Sequence, residues 1–227
     1  FTPIMQLHSE PIGGQFSGMR PTKKFINDRT PWNMASYYED DQLIEETSFY
    51  FNTRMNLLPT IYCEAKKAVK SKAPLMQHGQ MLYPDDPNFV EIHDQYFFMN
   101  MLIAPVLHQA QTKRRVYFPS GEWFGLFDGK AIQGGQWHTF DVHENAILAF
   151  VRSGNALVLR LNERQEIGGF VGNAVDDEPL LTVRFFGNQG QYHYFDDFQN
   201  DFVVSWEHQD IHVEGVQNSR FIFEKNK

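Results

Sequence analysis

Between Ser36 and about Ser71 one side of the chain repeats at helical spacing. Ile44, Thr47, Phe51, Met55, Leu58, Tyr62, Ala65 and Val69 follow one another at gaps of three and four, which predicts a single long amphipathic helix with one apolar stripe. Glu39, Asp40 and Asp41 stand at its start and Lys66, Lys67, Lys70 and Lys72 near its end, an order that suits the helix dipole. Pro59 falls inside and is expected to kink the helix or divide it near Leu58, because proline removes one backbone bond. Before it, Phe1–Leu7 is a short apolar segment of a length that suits a buried parallel strand. A loop rich in Gly, Pro, Ser and Asn joins the two.

From Met76 the period changes to two. Met76–Tyr83 is a candidate strand. The stretch Tyr83–Leu107 opens on turn chemistry, YPDDPN, and continues as an apolar run that Asn100 splits into strands at about Gln95–Met99 and Leu102–Val106. Pro105 places the second near a sheet edge or at its own end. Arg115–Phe118, Glu122–Phe127 with a hairpin turn at Asp128-Gly129, Trp137–Val142, Ile147–Val151 and Ala156–Leu161 follow. Short strands at this spacing predict a β-sandwich, with Trp123 and Trp137 in its core. Beyond NERQEIGG, a hinge of mixed charge at Asn162–Gly169, come Leu180–Phe186, Gln191–Phe195, Phe202–Glu207, Ile211–Glu214 and Arg220–Phe223, a second and smaller β-unit. The expected fold is mainly β with an N-terminal helical segment. Residues 1–75 read as a single βα unit that belongs against a sheet or barrel this sequence lacks (the last βα unit of a truncated (β/α)8 catalytic barrel, as the family resemblance given below implies), 76–162 as a proximal β-sandwich and 163–227 as a distal β-unit. A lone βα unit cannot bury its own stripe, so Phe51–Met55–Leu58–Tyr62 is expected to lie against a barrel portion encoded upstream, or against another copy of the chain.

Composition narrows the function classes. The 227 residues carry a net charge of −8, which disfavours nucleic acid as a partner. No apolar run reaches the roughly 18–20 residues of a membrane span, so no membrane partner is expected. The single cysteine, Cys63, fits a reducing compartment, and a cytoplasmic location is expected. The chain starts at Phe1 in the middle of an apolar run and reads as a piece of a longer protein.

Few residues stand out as chemistry. His8 follows a candidate barrel strand at its C-terminal end, the edge where such barrels place their sites, and a neutral imidazole there can bond a sugar hydroxyl. Trp32, in the long loop, can stack on a sugar or pack beneath the loop. Arg152 reads as a structural hydrogen-bond donor. The pairs Asp40-Asp41, Asp85-Asp86, Asp176-Asp177 and Asp196-Asp197 are explained by a helix start and turns. His208 and His212 are four apart, but on a strand this separates them by about 13 Å, too far to share an ion, so no metal is expected.

Several segments together resemble glycoside hydrolase family 31, the α-glucosidases and α-xylosidases. Phe1, Pro3 and His8 fall at the spacing F-x-P-x-x-x-x-H; an arginine commonly stands two residues before this histidine, where this chain has Gln6. Arg54 to Tyr62 is similar to R-x-x-L-L-P-x-x-Y, and YPDDP with DQY and APVL resembles the start of the family's β-domain. Val116–Trp123 resembles V-Y-L-P-x-G-x-W, and Phe150–Gly154 is similar to F-V-R-x-G. The matches run in order from Phe1 to about Leu161. The resemblance implies a parent that cleaves terminal α-linked glucose or xylose from oligosaccharides or small α-glycosides with retention, using two carboxylates about 5–5.5 Å apart. It implies that His8 contacts the sugar and that Trp32 lies near the mouth of the site. The family's two aspartates lie in motifs such as D-M-N-E and G-D-N, which do not occur here. No catalytic residue is therefore assigned, the chain alone is expected to be inactive, and neither a cofactor nor a metal is expected. The competing expectation is a non-catalytic carbohydrate-binding or structural accessory β-module.

Overall fold

The structure is a computed structural model that describes residues 1, 2, 5, 30–143, 146–172 and 180–226. The segment carrying most of the expected first strand, including His8, and the pair Asp176-Asp177 lie outside the described residues.

The expected single helix is two. Helix α1 spans Pro31–Tyr38 and α2 spans Gln42–Ser71. Glu39 adopts a left-handed conformation (φ 55°) that ends α1, and the Asp40 carboxylate accepts from the Gln42 N–H at 3.1 Å to open α2. The acidic cluster thus punctuates two helices rather than charging the start of one. Pro59 does not divide α2, which runs unbroken through it. Asn56 and Thr60, on the turns to either side, are both bonded to the β-region, as described below, and this holds the two turns in one helix.

Among the described residues the strands are β1 (Met76–Gln77), β2 (Tyr96–Phe98), β3 (Met101–Pro105), β4 (Lys113–Phe118), β5 (Glu122–Gly125), β6 (Ala131–Gln133), β7 (Gln136–Asp141), β8 (Ile147–Arg152), β9 (Ala156–Leu159), β10 (Leu181–Phe185), β11 (Gln189–Phe195), β12 (Asp201–Glu207), β13 (Asp210–Val216) and β14 (Phe221–Lys225). The expected strand Met76–Tyr83 is only β1, because His78 starts a short helix α3 (Gly79–Leu82). The His78 Nδ1 accepts from the Gln80 N–H, and its other ring nitrogen lies 2.7 Å from the Ile92 carbonyl. Pro105 ends β3, which lies inside its sheet and not at an edge.

A six-stranded sheet has the order β1-β2-β3-β8-β5-β6, and β4 pairs with β7 in a separate ribbon. Between ribbon and sheet lie Phe97, Leu102, Val116, Phe118, Trp123 and Phe150. Trp123 is core as expected, but Trp137 is 36% exposed. It lies beside Tyr117 and beneath the Arg115 guanidinium, on the outer side of the ribbon. Two further sheets, β14-β10-β9 and β11-β12-β13, enclose Ala156, Val158, Val183, Phe185, Tyr194, Phe202 and Trp206.

Strand β9 joins these layers. Ala156 and Val158 point into the distal core, while Leu157 and Leu159 point into the core shared by α2 and the six-stranded sheet. Both faces being covered, it reads as an uninterrupted apolar run. It pairs antiparallel with β10, so one ladder ties the region before the 162–169 segment to the region after it.

Candidate functional site

Helix α2 carries two faces. The buried one is Thr53, Asn56, Leu57, Thr60, Ile61 and Cys63, a set the apolar stripe did not contain. It holds α2 against β9, an edge strand whose free backbone groups need partners. The Thr60 hydroxyl donates to the Val158 carbonyl and accepts from the Val158 N–H. The Asn56 amide donates to the carbonyls of Arg160 and Gly169, and its oxygen accepts from the Gly168 N–H. Lower on the helix, Glu64 accepts from the Tyr192 hydroxyl at 2.8 Å, and Lys67 lies over the Tyr192 ring. Burial, first, and the Glu64 charge push that hydroxyl's pKa well above its ordinary value. Burial likewise raises the thiol of Cys63.

Helix α2 thus binds the β-region of its own chain through a face that the expectation about the stripe did not concern. The stripe predicted from periodicity is a different face. Phe51, Met55 and Leu58 are half-buried, and Ile44, Tyr62 and Val69 are exposed. Part of this face borders a groove of about 330 Å³ whose far wall includes Tyr194, Asp196, Asp197 and Phe198. Asp197 accepts from Tyr62 and pairs with Lys66 at 2.5 Å. The Lys66 bond and then the Tyr62 bond hold its carboxyl below the usual carboxylate range.

At the N-terminal side, the Arg54 guanidinium donates to the Thr2 carbonyl at 2.7 Å and the Tyr96 hydroxyl to the Phe1 carbonyl at 2.8 Å. These bonds seat the start of the chain between α2 and β2. Trp32 occupies the first turn of α1 and is 57% exposed; it does not pack beneath a loop. Tyr37 and Tyr38, edge to face on the same helix, are also exposed, so α1 presents three large aromatic side chains. Trp32 falls in the expected loop and Tyr37 and Tyr38 at the start of the expected long helix, so the three were not read as one group; Pro31 at the first helical position was the available signal for α1. Because His8 lies outside the described residues, its position relative to Trp32 is not part of this geometry.

Among the described carboxylate pairs, Asp40, Asp86 and Asp196 accept local turn or helix-start bonds, as expected, whereas Asp197 bonds across to α2. Besides Asp40 and Asp197, Asp86 accepts from Asn88 and Tyr117, and Asp196 accepts from Tyr194, Phe198 and Asn200. Arg152 donates to the Tyr83 hydroxyl, a structural bond. Among the described residues no group of three or more His, Cys, Asp or Glu could hold a metal ion, and no helix is long and apolar enough to cross a membrane.

Residues 72–157 match the glycosyl hydrolase family 31 C-terminal domain. The isomaltosyltransferase of Sporosarcina globispora is 36% identical over 82% of this chain and 16% of that protein. The α-xylosidase of Saccharolobus solfataricus is 28% identical over 87% of this chain and 24% of its own length. Among solved structures, the cycloalternan-forming enzyme of Listeria monocytogenes in complex with a pentasaccharide substrate superposes with a TM-score of 0.83, at 26% identity, over 90% of this chain and 20% of that one. The chain thus spans less than a quarter of the length of each of these relatives.

Proposed function

We propose that this chain, the C-terminal part of a glycosyl hydrolase family 31 enzyme, braces the catalytic barrel of its parent and supplies the barrel's last βα unit. The parent is read as a retaining α-glycosidase that removes terminal α-linked glucose or xylose from oligosaccharides, or as a transferase passing such a unit to a sugar acceptor. Both chemistries occur among the relatives. His8 and Trp32 are its proposed sugar contacts. The chain alone is proposed to be inactive, since the motifs D-M-N-E and G-D-N are absent from it. A cytoplasmic setting belongs to the same proposal and is supported by the buried, unpaired Cys63.

The observation that carries the reading is the two-faced α2. One face is bonded to β9, and the opposite one keeps Phe51, Met55 and Leu58 only half-covered. A helix with one face buried on the β-region and apolar side chains left half-covered on the other belongs between two layers, and the β-region of this chain supplies one of them. The test is co-expression with the barrel portion of the parent. A stoichiometric complex that releases nitrophenol from aryl α-glucosides or α-xylosides, where the chain alone releases none, is the expected result. Release by the isolated chain, or no complex, would overturn it. Product analysis with added maltose separates hydrolysis from transfer.

The second reading, a non-catalytic carbohydrate-binding or structural accessory module, is favoured by the exposed aromatics of α1. Sugar binding by the chain that is lost on Trp32→Ala would support it.

A further inference from the structure

A cavity of about 410 Å³ opens between the first half of α2, the β5–β6 turn, the 162–169 segment and β14, and its volume falls within the range of small-molecule sites. Two phenylalanines of its wall are partly exposed, Phe49 at 37% and Phe127 at 42%. Their ring centroids are 5.4 Å apart with the planes tilted by 48°. The Phe49 ring lies over Gly168, where any Cβ would meet it at 2.2 Å.

The polar side of the wall is built around Arg184 and Glu224. The Arg184 Nε and a terminal guanidinium nitrogen both approach Glu224 Oε1, at 2.8 and 2.6 Å, and the latter nitrogen also reaches the Gln165 carbonyl. Glu224 Oε2 receives no hydrogen bond among the described residues. The side-chain nitrogen of Asn226 is buried without a hydrogen-bond partner, a costly arrangement for an amide. Arg164 and Glu166 also line the cavity, and neither side chain has a partner among the described residues.

These groups decide the ligand class. Two guanidinium and two carboxylate groups balance, so the cavity favours neither an anion nor a cation. An open carboxylate oxygen and a free guanidinium suit adjacent hydroxyls, each of which both donates and accepts. The ring faces carry the negative side of the aromatic quadrupole and suit the C–H face of a pyranose. We infer that this cavity is a binding site for one or two pyranose units of a neutral oligosaccharide, carried by the β-region and α2 together. The inference goes beyond the proposed function and does not depend on whether the parent hydrolyses, transfers or only binds.

The test is titration of the 227-residue chain with maltotriose and isomaltotriose, followed by calorimetry and by amide NMR. Binding is expected with a dissociation constant on the order of 1 mM, with shifts at Gly129, Ile167 and the Asn226 side-chain amide. Arg164→Ala and Phe127→Ala are each expected to weaken it by about tenfold or more, whereas Val69→Ala, at an exposed position near the end of α2, leaves it unchanged. Should Phe127→Ala unfold the chain, Arg164→Ala decides alone, checked against an unchanged thermal midpoint. No binding, or binding sensitive to Trp32 but not to Arg164, would overturn the inference and leaves the barrel-bracing reading untouched.

Discussion

The Thr60 hydroxyl and the backbone of Val158 exchange two hydrogen bonds, one in each direction, at 2.7 Å. One side chain of α2 therefore does for the edge of β9 what a neighbouring strand would do. Thr60 is fully buried, so neither Val158 group has water as an alternative. Thr60→Val keeps the shape and deletes both bonds, leaving a buried donor and acceptor unmet, and is expected to cost about 1–3 kcal/mol. Thr60→Ser should retain most of the stability. Urea unfolding of the three proteins is the measurement, and an unchanged midpoint in Thr60→Val would remove this bond from the account.

The pair Asp86 and Tyr117 makes stability depend on pH at both ends. Burial works to raise the Asp86 carboxyl, but bonds from the Tyr117 hydroxyl and from Asn88 outweigh it and hold the group below its ordinary value. A depressed carboxyl stabilises the fold above the unfolded-state pKa of about 4, and that contribution is lost as pH falls through the lower folded-state value. The Tyr117 hydroxyl is pushed up to about 12, first by burial and then by Asp86. The folded state therefore keeps its proton while the unfolded chain loses it, and stability falls as pH rises from about 10 towards 12. Tyr117→Phe should flatten the alkaline limb of a stability–pH profile, and Asp86→Asn the acid limb.

Strand positions were legible because alternation and turn residues act locally. Asn100, Pro105 and Asp128-Gly129 end strands or turn hairpins where their backbone preferences require. The face of α2 that meets the β-region was not legible. Its key members, Thr53, Asn56 and Thr60, are polar; Asn56 and Thr60 are buried because they satisfy backbone groups of β9 and the segment after it, about a hundred residues later, while the Thr53 hydroxyl donates back to the Phe49 carbonyl within the helix. A hydrophobic period cannot register such a face. The same period did find a real stripe, but on the side the chain leaves half-open. The strand forecast at Met76–Tyr83 failed for a related reason. The ring of His78 caps a helix that residue propensity alone does not announce, and Gly79 lets Phe89 press against that helix. For the candidate site, Trp32 was found from its residue type, while Tyr37 and Tyr38, expected at the start of the long helix, joined it only because Glu39 separates α1 from α2.

Gly79 gives a sharp packing test. A Cβ there would stand 2.0 Å from Phe89 Cδ1. Phe89 is 1% exposed and enclosed by Tyr83, Phe97 and Tyr117, so its ring has no free space to enter. Alanine would ordinarily gain up to about 1 kcal/mol in a helix. Here overpacking of about 1–3 kcal/mol should win, and Gly79→Ala should lower the thermal midpoint. A raised midpoint would mean that the ring can move.

Trp32 can be tested without disturbing the fold. Its side chain is exposed on α1, so Trp32→Ala should shift the stability of the chain by no more than about 0.5 kcal/mol. If Trp32 is a sugar contact of the proposed parent enzyme, loss of its stacking face should lower kcat/KM for an aryl α-glycoside by about tenfold. Equal kinetics in the two proteins would place Trp32 away from the substrate.

The two faces of α2 predict opposite results from substitutions on one helix. Ile61 is 7% exposed and lies in the core with Leu157, Leu159 and Met101, so Ile61→Ala should cost about 2–5 kcal/mol in the chain alone. Phe51, ten residues earlier, is half-buried on the other face. Phe51→Ser should cost the isolated chain less than Ile61→Ala, because water already reaches that ring. In complex with the barrel portion the order should invert for assembly. Phe51→Ser would place a hydroxyl where the proposed barrel layer covers α2, and should abolish co-purification, while Ile61→Ala should weaken folding yet still allow capture at low temperature. Pull-down of both variants beside their urea curves reads the two effects separately. If Phe51→Ser assembles as well as the unaltered chain, the open face of α2 is not where the barrel lies.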